Sequence, residues 1–139
     1  MNSSIAPKGE AYPFGGPGSF ILGNTVSMAD QLISRYGSRV DLIYLDPPFG
    51  TGDGFSVKIQ GSKEKLKIPA YNDNLDNASY LAMMRSVLTL CHELLKDTGS
   101  IYLHIDYRMS AKLRLIMDDI FGESCFQNEI IWAYKSGGR

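Results

Sequence analysis

The sequence predicts an α/β fold, a parallel sheet flanked by helices. Three observations carry that expectation. Short β-branched and aromatic runs alternate with segments whose apolar residues recur at helical spacing. One run, Val40-Asp41-Leu42-Ile43-Tyr44-Leu45, is almost continuously apolar, which fits a strand buried on both faces of a parallel sheet. Two runs end in a carboxylate, at Asp46 and Asp106, and open parallel sheets bind ligands outside the carboxyl ends of their strands.

The elements follow in order. Residues 1–19 are polar and rich in Gly and Pro, and read as a flexible arm. Phe20-Ile21-Leu22 opens the ordered part as a short strand, and Gly23-Asn24 marks a turn. Val26, Ala29, Leu32, Ile33 and Tyr36 then share a helical face that Gly37 ends. The strand at 40–45 stops at Pro47-Pro48, because prolines cannot continue a ladder. Residues 46–77 are long for a structureless loop, and 55–59 with 66–68 alternate as a hairpin does. Leu81, Met84, Leu88, Cys91 and Leu95 form the next helical stripe, with Asn77 as cap and Gly99 as stop. Residues 100–106 read as a strand. Leu113, Ile116, Met117 and Ile120 read as a helix closed by Gly122, and residues 129–134 as a last strand.

Composition narrows the function classes. The chain has 139 residues, 44% of them hydrophobic and 21% charged. That suits one globular domain and excludes disorder over the whole length. Fourteen basic residues against fifteen acidic ones leave a net charge of −1, so any nucleic-acid contact rests on a local patch. Cys91 and Cys125 have neither metal nor Cys-x-x-Cys spacing, which argues against a disulfide scaffold or a metal site. No stretch approaches the ~18 apolar residues of a membrane span, and residues 1–20 lack the apolar core of a secretory signal. A cytoplasmic protein with no membrane partner is expected.

The sharpest local feature is Asp46-Pro47-Pro48-Phe49. It combines a carboxylate, a stiff backbone with free carbonyls, and an aromatic face. A carboxylate and a carbonyl together can accept both hydrogens of an amino group, and a phenyl ring can stack on a nucleobase. An N-terminal turn with a capping Asp and a core Phe is the other reading of the same residues. His104 reads as a packed core residue ahead of a base or a hydrogen-bond anchor, and His92 as helix packing. Lys58, Lys63, Lys65 and Lys67 cluster in the long connection, as phosphate contacts or as a solvated hairpin edge. Tyr71-Asn72-Asp73 is a turn or a base-contacting loop. Gly50-Thr51-Gly52-Asp53-Gly54 lacks the Gly-Lys-Ser/Thr ending of a phosphate loop.

The segment from Leu42 through Asp46-Pro47-Pro48-Phe49 to Gly52 resembles the catalytic motif of amino-group DNA methyltransferases. Tyr71-Asn72-Asp73, Tyr80-Leu81-Ala82-Met83-Met84-Arg85, the run 94–106, Ile120-Phe121-Gly122-Glu123 and Asn128-Glu129-Ile130-Ile131-Trp132 follow in family order. The ordered series over residues 20–139 is similar to the adenine-specific β-class, of the type III modification-subunit kind. The resemblance implies part of a Rossmann-like, S-adenosylmethionine-dependent methyltransferase sheet, with 1–19 as arm and 20–139 as catalytic part. It further implies that an adenine is flipped out of double-stranded DNA. Asp46 and the Pro47 carbonyl would hold its amino group, and Phe49 would stack on the base. The methyl group would then transfer directly, by positioning and electrostatics. Asp46, Pro47, Pro48 and Phe49 are the implied catalytic residues. Asn24, Asp46 and Asp106 are the implied cofactor contacts, and Lys58, Lys63, Lys65, Lys67 and Tyr71 the implied nucleic-acid contacts.

Two positions depart from the pattern: Asn24 stands where the family usually has Asp, and Gly50 where many relatives have Asn. The family's Phe-x-Gly-x-Gly cofactor loop and most of its target-recognition region are expected beyond Ser136-Gly137-Gly138-Arg139. Unpaired strand edges then suggest a homo-oligomer or a complementing C-terminal half. Two alternatives stay open: a truncated remnant that binds DNA or a partner without catalysis, and an enzyme with another acceptor, the cytosine amino group in DNA or a protein glutamine. Cytosine enzymes more often show Ser-Pro-Pro, so Asp46 favours adenine.

Overall fold

The computed structural model of the chain describes residues 8–11, 17–49 and 77–133. The lysines at 58, 63, 65 and 67, Tyr71, the glycine-rich run 50–54 and the hairpin expected between 55 and 68 lie outside the described residues. The elements are β1 (Lys8–Ala11), β2 (Pro17–Phe20), α1 (Ala29–Tyr36), β3 (Val40–Leu45), α2 (Asn77–Leu94), β4 (Leu95–Leu103) and α3 (Tyr107–Phe121). Single 3-10 turns at Val26–Met28 and Glu123–Cys125 flank α1 and α3.

β3 and β4 pair in parallel, with Leu42 opposite Ser100 and Leu45 opposite Leu103. The fold is therefore α/β, with a small parallel sheet flanked by helices. Its core lies between one face of this sheet and the pair α2–α3. Tyr80, Met84, Leu88, Met109, Leu113 and Ile116 form the buried cluster, and Leu45, Ile101, Leu103 and Ile105 pack against it. Burying each large apolar side chain stabilises the fold by roughly 1.5–3 kcal/mol. Arg85 of α2 and Asp119 of α3 add an ion pair at 2.8 Å on the surface, where such pairs contribute at most about 1 kcal/mol.

Several boundaries match the sequence reading. β3 covers Val40–Leu45 as expected. α1 ends at Gly37, whose N–H donates to the Ile33 carbonyl at 2.8 Å. α3 ends at Gly122 with φ +91°, a conformation that glycine adopts without strain.

Other expectations are corrected. Lys8–Ala11 pair antiparallel with Pro17–Phe20, so the expected arm contains a hairpin. Its second strand ends at Phe20 instead of running through Leu22. Pro17 is tolerated as a first strand residue, where its missing N–H matters least. β3 is not buried on both faces: Leu42 and Tyr44 are 58% and 62% exposed. Among the described residues α2 and α3 cover one face of the sheet, and the other carries Leu42, Tyr44 and Tyr102.

Asn77 is the first residue of α2, one place inside the expected cap. Gly99 does not stop α2, which ends at Leu94 and passes directly into β4. Its last carbonyls are satisfied from outside, by the N–H groups of Ser38 on Glu93 and Arg39 on Leu94. From Val40 to Leu42 β3 advances two residues while β4 advances five, from Leu95 to Ser100. Gly99 closes this irregularity. A Cβ there would stand 2.9 Å from the Val40 carbonyl oxygen and 3.0 Å from that of Lys96, so only glycine lets the two backbones approach. The strand expected at 129–134 is not formed over its described part, where Ile130, Ile131 and Trp132 are 75–80% exposed.

Candidate active site

The parallel register brings the carboxyl ends of β3 and β4 to one edge. The His104 N–H donates to the Leu45 carbonyl at 2.9 Å, which extends the ladder one residue past β4. The two chains therefore leave the sheet side by side, one into Asp46-Pro47-Pro48-Phe49 and the other into His104-Ile105-Asp106. Asp46 is exposed, and Pro47, Pro48 and Phe49 are half-buried.

Two contacts fix this turn. The first comes from α2. Tyr80 lies in its opening turns, is 2% exposed, and donates its hydroxyl to the Pro48 carbonyl at 2.7 Å. Pro47 and Pro48 have no N–H of their own, and the bond from Tyr80 holds the turn through the Pro48 carbonyl. The second contact comes from β4. The Phe49 ring lies parallel to the His104 imidazole, with centroids 5.6 Å apart and an interplanar angle of 4°. His104 Nδ1 in turn shares a hydrogen bond of 2.8 Å with the Tyr44 hydroxyl, and the Tyr44 ring meets the imidazole edge-on at 6.2 Å.

Asp106 caps α3. It accepts from the Arg108 N–H at 2.9 Å, from Arg108 Nε at 2.7 Å and from Arg108 Nη2 at 3.3 Å. The Arg108 side chain and then its backbone N–H hold the Asp106 carboxyl below its usual range. Asn24 lies between β2 and α1, and its Oδ1 accepts from the N–H and hydroxyl of Ser27 at 3.0 and 3.3 Å. The fold thus gathers Asp46, Pro47, Pro48 and Phe49 with His104 at one edge. Asn24 and Asp106 are each engaged in a helix-start contact.

Sequence reasoning missed Tyr80, and it favoured core packing for His104. The signal for Tyr80 was available: a phenol that heads the stripe Tyr80, Met84, Leu88 buries its ring and must find a partner for its hydroxyl. His104 follows the strand alternation. Leu103 and Ile105 face the core, so His104 belongs to the opposite face with Tyr44.

His92 meets Phe121 edge-on at 5.3 Å, as helix packing between α2 and α3. Cys91 is buried, and burial pushes its thiol up to about 11. Among the described residues no group of three His, Cys, Asp or Glu could hold a metal ion, and no helix is long and apolar enough to cross a membrane.

Comparison with known proteins adds to this geometry. A family model described as DNA methylase matches residues 40–139. The type II methyltransferase M.EcaI of Enterobacter cloacae is 43% identical over 114 residues, which cover 82% of this chain and 24% of that protein. The StyLTI Mod subunit of a type III restriction-modification enzyme from Salmonella typhimurium is 32% identical over 131 residues, covering 84% and 20%. The probable HindVI Mod subunit of Haemophilus influenzae is 34% identical over 119 residues, covering 85% and 14%. The chain spans a quarter or less of the length of these relatives. The match runs through the Asp46-Pro47-Pro48-Phe49 turn, α2, β4 and α3 alike, and the chain belongs to the family of amino-group DNA methylases.

Proposed function

We propose that the protein transfers a methyl group from S-adenosylmethionine to the exocyclic amino group of a flipped adenine at a specific site in double-stranded DNA. The observation that carries this reading is an exposed carboxylate, Asp46, at a parallel strand end, followed by a turn tied down by Tyr80 and an aromatic ring backed by His104. In this reading Asp46 and the Pro47 carbonyl accept the two amino hydrogens. That withdraws the nitrogen lone pair from the purine ring and directs it outward. Pro48 keeps the turn rigid, and Phe49 stacks on the base. Catalysis is positioning and electrostatics, with no covalent bond to the protein.

Asp106 and Asp46 at the edge, with Asn24 between β2 and α1, suit the donor. Asp106 accepts three hydrogen bonds from Arg108, and a carboxylate offers about four lone-pair sites, so it keeps room for one hydroxyl. The Asp46 carboxylate favours a cationic group nearby. Asn24 offers an amide suited to an adenine edge. These three would hold the cofactor, which when bound supplies an electrophilic methyl group on a sulfonium. The corresponding fold is part of a Rossmann-like sheet, with residues 20–139 in the catalytic part and 1–19 ahead of it. The lysines at 58, 63, 65 and 67 and Tyr71 are assigned to DNA. Similarity to relatives named as Mod subunits supports a place in a restriction-modification system, and hence in the cytoplasm.

The test supplies the full-length protein with tritiated S-adenosylmethionine and DNA from a host without adenine or cytosine methylation. The DNA is then digested to nucleosides. Label in N6-methyladenine, lost in Asp46→Ala, is expected. Label in N4-methylcytosine would transfer the assignment to cytosine, and full activity in Asp46→Ala would remove Asp46 from the reaction. A folded wild type that neither labels DNA nor binds the cofactor by calorimetry would identify a non-catalytic remnant.

A further inference from the structure

We propose that His104, locked by Tyr44, is a positioning residue that sets the plane of the Phe49 ring and thereby the place of the stacked base. This inference rests on the methyltransferase reading and adds to it a residue that does not touch the substrate. The argument starts with the sheet. Tyr44 pairs with Tyr102 in the parallel register. His104 is the diagonal neighbour two residues further on, within reach of an aromatic side chain on the same face. The backbone bond from the His104 N–H to the Leu45 carbonyl fixes where that imidazole starts. The bond from Nδ1 to the Tyr44 hydroxyl at 2.8 Å then fixes its rotation about the side chain. In either tautomer one partner donates and the other accepts, so the lock holds in both.

Phe49 follows two prolines and lies beyond the end of β3, and its ring needs a support to hold one orientation. The imidazole supplies it: 5.6 Å between centroids and 4° between planes is an offset stack. In the methyltransferase reading the base stacks on the face of the ring opposite His104. The plane in which the base must lie is then set by the imidazole, and through it by Tyr44. Histidine serves here better than an aliphatic residue because it combines a flat face for Phe49 with an edge nitrogen for Tyr44.

The experiment compares His104→Ala, His104→Leu and His104→Phe in the full-length protein, with Asp46→Ala beside them. Turnover is measured at saturating S-adenosylmethionine and saturating unmethylated DNA, and folding by thermal unfolding. An aromatic pair contributes about 0.5–1.5 kcal/mol beyond its area, so His104→Ala should lower kcat by about 2- to 10-fold, with KM for the cofactor within about twofold of wild type. His104→Phe keeps a flat ring but loses the bond to Tyr44, and should recover only part of kcat. His104→Leu should unfold near the wild-type temperature yet turn over like His104→Ala. Wild-type kcat in His104→Leu, or a loss that follows only the unfolded fraction, would overturn the inference. Loss of turnover in Asp46→Ala together with wild-type turnover in His104→Ala would overturn this inference alone. Wild-type turnover in Asp46→Ala would overturn the reading of the site itself.

Discussion

Replacing Tyr80 by Phe removes one oxygen and leaves the buried ring in place. The side chain is 2% exposed and its hydroxyl donates to the Pro48 carbonyl at 2.7 Å. A bond of this kind contributes about 0.5–1.5 kcal/mol net. Pro48 is half-buried, so water can partly replace the lost donor, and the penalty for the carbonyl left behind stays near the low end of about 1–3 kcal/mol. The expected loss of stability is therefore about 1 kcal/mol. Tyr80→Ala also removes the ring from the α2–α3 core and should cost about 3–5 kcal/mol.

The effect on function should exceed the effect on stability. The bond holds the residue between the Pro47 carbonyl and Phe49, and a displacement of about 1 Å at a reacting centre can cost about 100-fold. A turn that is loosened and not displaced should lose about tenfold in kcat. Urea unfolding gives the stability change, and methyl transfer at a temperature where both proteins are folded gives the rate. Wild-type values in both would refute the tether. A stability loss in Tyr80→Phe as large as that of Tyr80→Ala would show that the hydroxyl holds far more than one carbonyl.

Gly99→Ala places a methyl group against the Val40 and Lys96 carbonyl oxygens. It should destabilise by about 1–3 kcal/mol, as overpacking does, measured as a lower urea midpoint. Asp106→Asn keeps a capping side chain but removes the charge that Arg108 binds. Because the folded carboxyl titrates below its ordinary value of 3.8, its contribution is present above that pH and is lost as pH falls below it. The acid limb of the stability profile should therefore be flatter in Asp106→Asn. Cys125 is exposed and Cys91 buried, so a thiol reagent at neutral pH should label Cys125 rapidly and Cys91 at the rate of local opening. The Cys91 thiol is raised from 9.0 to about 11 in the fold, so its contribution is complete below pH 9 and declines as pH rises toward 11. Cys91→Ala should remove that slope.

What the sequence disclosed depended on whether the relevant physics was local. β3 was legible because Val40 to Leu45 are strand formers stopped by two prolines, and the end of α3 because Gly122 alone among its neighbours accepts φ +91°. The stripe Met84, Leu88, Cys91 placed α2 correctly. Its end was misread because Leu95 continues the apolar period of the helix although its backbone already pairs with Val40. The strand expected at 129–134 failed over its described residues for the opposite reason. Ile130, Ile131 and Trp132 have high strand propensity, and propensity yields a strand only where a neighbour is there to pair with. The hairpin of β1 and β2 was hidden by glycine and proline. At the site, Asp46 to Phe49 stood out by composition. The tether from Tyr80, 32 positions away, and the support from His104, 55 positions beyond Phe49, are tertiary contacts that no local pattern contains.

The same dependence explains how the site keeps its geometry. Side chains alternate along a strand, so a slip of β4 by one residue would turn His104 toward the helices and Ile105 away from them. Phe49 would lose its support, and the Tyr44 hydroxyl its nitrogen. What opposes the slip is not the site. Ile101, Leu103 and Ile105 are half-buried against the core under α2 and α3, and exposing them would cost part of the roughly 1.5–3 kcal/mol that full burial of each contributes. Extra length is absorbed instead between Leu95 and Ser100, where β4 is already irregular and Gly99 permits the close approach to Val40. The apolar alternation that stabilises one face of the sheet thus fixes the polar and aromatic residues on the other. A substitution at Gly99 or Leu103 should disturb Phe49 through register, without touching it.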